Sequence, residues 1–174
     1  MGDRIIKNKE SIKAIHEHLN QIYTRANNDY KELLSCGVDC KLDFFKDNYL
    51  QVDGQYDLQH YPIPIITVNE IGDIGYNLDR VFFEFAFEKS KFLSKDLDYL
   101  IHHFDSLEIY DGHNCLVDFY QKADTPEMIR DKVEHSDEQI IMLALYFDYT
   151  FKGLINTFLK VSKTLKGHNQ INTH

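Results

Sequence analysis

The hydrophobic period of this chain changes twice along its length, and that change restricts its fold more than any other feature. Apolar residues recur at steps of three and four near both ends and at steps of two in between. The first spacing describes helices that bury one stripe, and the second describes strands that bury one face. With 174 residues and 43% hydrophobic content, one domain suffices to bury an ordinary core. A single α+β domain over 1–174 is therefore expected, ordered over about 10–167 with a disordered tail at 168–174.

The first stripe is Ile12, Ile15, Leu19, Ile22, Ala26, Tyr30 and Leu33, and it predicts a helix from about Ser11 to Cys36. Gly37 supplies a left-handed cap beyond it. The last stripe is Ile140, Ala144, Phe147, Phe151, Leu154, Phe158, Val161 and Leu165. Its unbroken four-and-three spacing predicts a second long helix, with Ser136 and Gln139 as a capping box and Gly167 as its stop. Ile140 to Tyr149 is also dense in β-branched and aromatic residues, so a buried strand is the competing reading there. Persistence of the helical spacing to Leu165 favours helix.

In the middle, Val81 to Glu88 alternates strictly, with Phe83, Phe85 and Phe87 on one face and Glu84 and Glu88 on the other. Further strands are expected at Cys40 to Phe44, Tyr49 to Val52, Ile65 to Asn69, Leu107 to Tyr110 and Cys115 to Tyr120. Lys46-Asp47-Asn48 and Asp111-Gly112-His113-Asn114 read as hairpin turns. Pro62 and Pro64 belong at a strand start or edge. Short helices are expected after Ser94 and at Thr125-Pro126, the latter with Thr as N-cap and Pro in the first helical position. Strands joined by tight turns form an antiparallel sheet, and helices must cover its apolar face. The expected architecture has two layers: five or six antiparallel strands against long N- and C-terminal helices, with short helices inserted.

Charge is concentrated rather than spread. Residues 39–138 carry 22 acidic against 9 basic side chains, a net −13, within a chain whose total is −9. Such a field disfavours nucleic acid and anionic lipid and attracts a basic partner. No apolar run approaches the roughly 20 residues that span a bilayer, and the N-terminus lacks a signal-peptide core, so a cytoplasmic protein without membrane association is expected. Cys36, Cys40 and Cys115 are odd in number and lack a second pair at zinc spacing, which reads as free thiols.

The sequence contains no Gly-rich phosphate loop, nucleophile elbow or zinc-protease helix, and it implies no cofactor. Three function classes follow. If the apolar side of each strand meets the helices, the other side presents acids and tyrosines: Asp43, Tyr49, Glu84, Glu88, Glu108, Tyr110, Asp118 and Tyr120. Tyrosine gives contact area at low entropy cost and carboxylates steer a basic protein, so a binding or regulatory role is favoured. Self-association through that face, giving a homodimer, is a variant of it. The second class is a small-substrate enzyme using His103, Asp111 and His113, because imidazole beside carboxylate serves acid/base chemistry. The third is a divalent-metal sensor using Glu70, Asp73 and Asp79, although their spacing is not that of an EF-hand. His16 and His18, two apart on a helix, are read as surface residues.

Overall fold

The computed structural model describes residues 9–45, 63–91, 103–104, 107–112, 114–118 and 125–166. Its elements are helix α1 (Lys9–Ser35), strands β1 (Cys40–Phe45), β2 (Ile63–Val68), β3 (Gly72–Tyr76) and β4 (Val81–Glu88), strands β5 (Leu107–Asp111) and β6 (Asn114–Asp118), helix α2 (Pro126–Glu134), strand β7 (Ile140–Phe147) and helix α3 (Leu154–Lys166). The strands form one sheet in the order β1-β2-β3-β4-β7-β5-β6, antiparallel throughout. The α+β class is as expected, with seven strands among the described residues rather than five or six. The expected strand at Tyr49 to Val52 and the helix from Ser94 fall largely or wholly outside the described residues.

The largest departure lies at 140–153. Ile140 to Phe147 is a strand in full register with β4, from Val81 opposite Phe147 to Glu88 opposite Ile140. The C-terminal helix is therefore short, starting at Leu154 after a turn in which Gly153 adopts φ +75°. Both periods fit the apolar residues of this stretch. β7 lies between β4 and β5, where the inward set Ile141, Leu143, Leu145 and Phe147 is buried, while of the other set Ala144 is buried, Met142 and Tyr146 are half-buried and Ile140 is exposed. An interior strand covered on one side and partly on the other loses its alternation and imitates a helix stripe. Ser136 caps no helix: its hydroxyl donates to Asp111 Oδ2 at 2.7 Å and accepts the Glu138 N–H at 3.2 Å.

The second departure is β3, a strand that is not among those expected from the sequence and that contains both Gly72 and Gly75. Gly75 is opposite Phe82, whose ring occupies the space a side chain on Gly75 would need. Pro64 fits within β2 without cost. It is the strand's second residue, and the β3 ladder begins only at Ile65 opposite Gly75, so its missing N–H falls beyond that ladder.

α1 packs against β1 and β2 and touches α3. Its buried residues Leu19, Ile22, Ala26 and Leu33 keep the expected spacing, and Gly37 follows the helix with φ +74°. Asp29 is buried on the same face and accepts from Arg25 Nε through both oxygens, at 3.1 and 2.9 Å, and from the Tyr76 hydroxyl at 2.8 Å. The Arg25 guanidinium also donates to the carbonyls of Tyr149 and Phe151, at 3.2 and 3.4 Å. This network ties α1, β3 and the β7–α3 turn together. Burial first, and then Asp29, hold the Tyr76 phenol far above the ordinary tyrosine value, so it stays a donor. His16 is exposed as expected. His18 is not a free surface residue: its Nε2 lies 2.6 Å from the Leu78 carbonyl and its ring meets Tyr149 edge-on.

The core is aromatic. Phe83 lies 4.6 Å from Phe147 and 5.0 Å from Phe158 between ring centroids, and Phe158 stacks on Phe85 at 5.5 Å. Helix α3 is thereby fastened to β4 and β7. α2 begins as expected, with Thr125 accepting the Met128 N–H and Pro126 in the first helical position.

Candidate functional site: the acidic, tyrosine-bearing sheet face

Residues directly opposite each other in an antiparallel pair share a face. Following the register across the sheet gives one continuous row: Lys41, Thr67, Asp73, Glu84, Ala144, Glu108 and Asp118. The row lies on the side opposite Ile66, Ile74, Phe83, Leu143 and Ile109, all buried. Four of its seven positions are acids, and Ala144 stands between Glu84 and Glu108 with no side chain to separate them beyond a methyl.

Tyrosines surround this row. The hydroxyls of Tyr110 and Tyr146 both donate to Glu108 Oε2, that of Tyr146 at 2.7 Å. Burial, followed by the hydrogen bond to Glu108, holds both phenols above the ordinary tyrosine range. Tyr146 pairs with Phe82, their centroids 6.0 Å apart, and the Arg80 guanidinium lies 5.4 Å over its ring. Arg80 is placed by the β3–β4 turn, where Asn77 Oδ1 accepts the N–H groups of Asp79 and Arg80.

Glu84 faces Asp73 across the strands. Partial burial first, and the Asp73 charge second, raise its carboxyl above the ordinary 4.5. A raised acid in the folded state costs stability when ionised, and the cost fades as pH falls through the folded value. Replacing Glu84 by Gln is accordingly expected to raise Tm by a few degrees at pH 7 and to leave it unchanged below about pH 4, where both forms are neutral. Thermal melts of the two proteins across that range test this, and an equal or lower Tm for E84Q at pH 7 contradicts it.

The structure brings together several of the predicted partner residues. Asp43, Glu84, Glu88, Glu108 and Tyr110 lie on this face by strand parity, and the backbone of Asp118 stands opposite Glu108. Tyr49 and Tyr120 lie outside the described residues. Sequence reasoning missed Asp73 for this face, grouping it with Glu70 and Asp79 as a metal candidate, and Tyr146, assigned off the stripe of a helix. Alternation of Ile141, Leu143, Leu145 and Phe147 was the signal that places Tyr146 beside Glu108.

The other candidate groups do not assemble in this way. Asp111 is 8% exposed and engaged by Ser136, His103 is exposed, and His113 lies outside the described residues. Glu70 and Asp79 occupy turns at opposite ends of β3, while Asp73 belongs to the row inside the strand. Five residues of strand, roughly 16 Å, separate those turns. Among the described residues, no group of three His, Cys, Asp or Glu side chains is placed to hold a metal ion, and Cys36, Cys40 and Cys115 form no disulfide. No described helix is long and apolar enough to cross a membrane.

A family model described as a protein of unknown function, DUF3201, matches residues 9–160. The chain belongs to this family. The match runs from the start of α1 into α3, so it takes in every element of the sheet. A solved structure, that of a conserved hypothetical protein from Pyrococcus furiosus, is similar in fold with a TM-score of 0.73 and 22% identity. The similarity covers 89% of this chain and 98% of that one. No curated protein matches the chain.

Proposed function

We propose that this DUF3201 protein is a binding or regulatory protein whose acidic, tyrosine-bearing sheet face takes up a basic protein partner. The observation that carries the reading is the row Asp73, Glu84, Ala144, Glu108, Asp118, with Tyr110 and Tyr146 fixed on Glu108. A row of carboxylates guides the approach of a basic surface, and phenols held as donors on a rigid sheet add contact area without much entropy to lose.

The test is capture from the native lysate at low and high salt. Wild-type protein is expected to retain a basic protein that elutes as salt rises, and the E84K/E88K variant to bind it about tenfold more weakly, mainly through a slower on-rate. Glu32→Lys, a reversal on the exposed side of α1, serves as the control and should leave binding intact. Equal retention by wild type and E84K/E88K, or equal loss in both variants, would sink the reading.

A further inference from the structure

β1 ends the sheet order, and among the described residues no strand lies beyond it. Its backbone polarity follows from one hydrogen bond. The Asn69 N–H donates to the Asp39 carbonyl at 3.1 Å, and continuing the register of Cys40 opposite Val68 places those two residues directly opposite each other. Directly opposed residues that exchange such a bond alternate along an antiparallel ladder with residues that do not. Asp39, Lys41 and Asp43 therefore turn their N–H and C=O groups toward β2, while Cys40, Leu42 and Phe44 turn theirs outward. Those outward groups invite another strand.

The side chains of this edge say which strand fits. Lys41 and Asp43 flank Leu42 on the open face, their charges 2.7 Å apart and well exposed. On the covered face, Phe44 leaves 43% of its surface exposed at the sheet edge, with its ring edge-on to Tyr23 on α1. We propose that β1 pairs antiparallel with the β1 of a second copy about a two-fold axis at Leu42, joining the two sheets into one. In this register the outward groups of Leu42 meet those of the second copy's Leu42, and those of Cys40 meet Phe44. Lys41 then stands opposite the second copy's Asp43, and Asp43 opposite its Lys41, in the closely spaced non-hydrogen-bonded positions where cross-strand charges act most strongly. Moving the axis to residue 41 sets lysine against lysine, and moving it to residue 43 sets aspartate against aspartate. A shift by half a step presents the wrong backbone groups and faces. The arrangement at Leu42 is self-complementary, as a two-fold interface requires.

One short strand is a small interface, so the dimer is expected to dissociate at concentrations on the order of micromolar. Sedimentation velocity over a concentration series at physiological salt tests the register. Wild type should move from 20.5 kDa toward twice that mass. K41D alone and D43K alone should each stay monomeric, because each sets like charges opposite one another. An equimolar mixture of these two should form a heterodimer, and the double variant K41D/D43K should recover the homodimer. Circular dichroism melts check that each exposed substitution leaves the monomer folded. A wild-type monomer at every attainable concentration overturns the proposal, and this is also the result if the chain's own Tyr49 to Val52 covers the edge as the sequence hairpin predicts. Dimerisation of wild type and both single variants to the same extent overturns it equally.

Discussion

Replacing Asp29 by Ala is expected to cost about 3 kcal/mol of stability, the low end of the range for breaking a buried ion pair from one side. The carboxylate is the hub on which Arg25 and Tyr76 converge, and its removal strands a phenol that has no exposed surface. Arg25 retains some access to water, which places the cost at the low end. Tyr76→Phe deletes only a single donor and should cost about 1–2 kcal/mol, the usual figure for a hydrogen bond to a charged group at the lower limit. Urea unfolding of both variants gives the comparison, and a D29A loss below that of Y76F would show that the carboxylate is not the hub.

Phe83→Ala is the other large effect, with an expected loss of about 3–5 kcal/mol from lost burial and the cavity left behind. Phe83 is fully buried, and its ring is the meeting point of β4, β7 and α3 through Phe147 and Phe158. The cavity opens under α3, so F83A and Phe158→Ala should not add. Their double-mutant cycle is expected to show a coupling of about 0.5–3 kcal/mol. Additive losses would mean that the two rings pack independently, contrary to the observed contact.

The elements legible in the sequence are those whose two sides differ. β4 alternates because one side is core and the other is the acidic row, and α1 shows its stripe because its outer side is wet. The elements misread are those whose two sides resemble each other. β7 carries Ile140, Met142, Ala144 and Tyr146 on the outer side, so little in its composition says that these point away from the core. β3 carries two glycines, one of them filled in by the Phe82 ring from the neighbouring strand, and a cross-strand ring is invisible to any local pattern. The acidic face was legible as a set of residue types on strands. Its order was not, because the row from Asp73 through Glu84 and Glu108 exists only once β7 is placed between β4 and β5.

That placement has a consequence for how the chain comes to its shape. β1 to β4 pair in chain order as one ladder, and β5 with β6 forms another, but the strand that joins them is the last to be made. Until residues 140–147 leave the ribosome, β4 and β5 each present a bare edge, and the greasy side of β4 lacks Phe147 and Phe158 against it. A long-range pairing of this kind forms late and leaves the nascent halves open to wrong partners. Synthesis of the C-terminal part is thus the step that commits the two ladders to a single sheet and assembles the acidic row at the same moment.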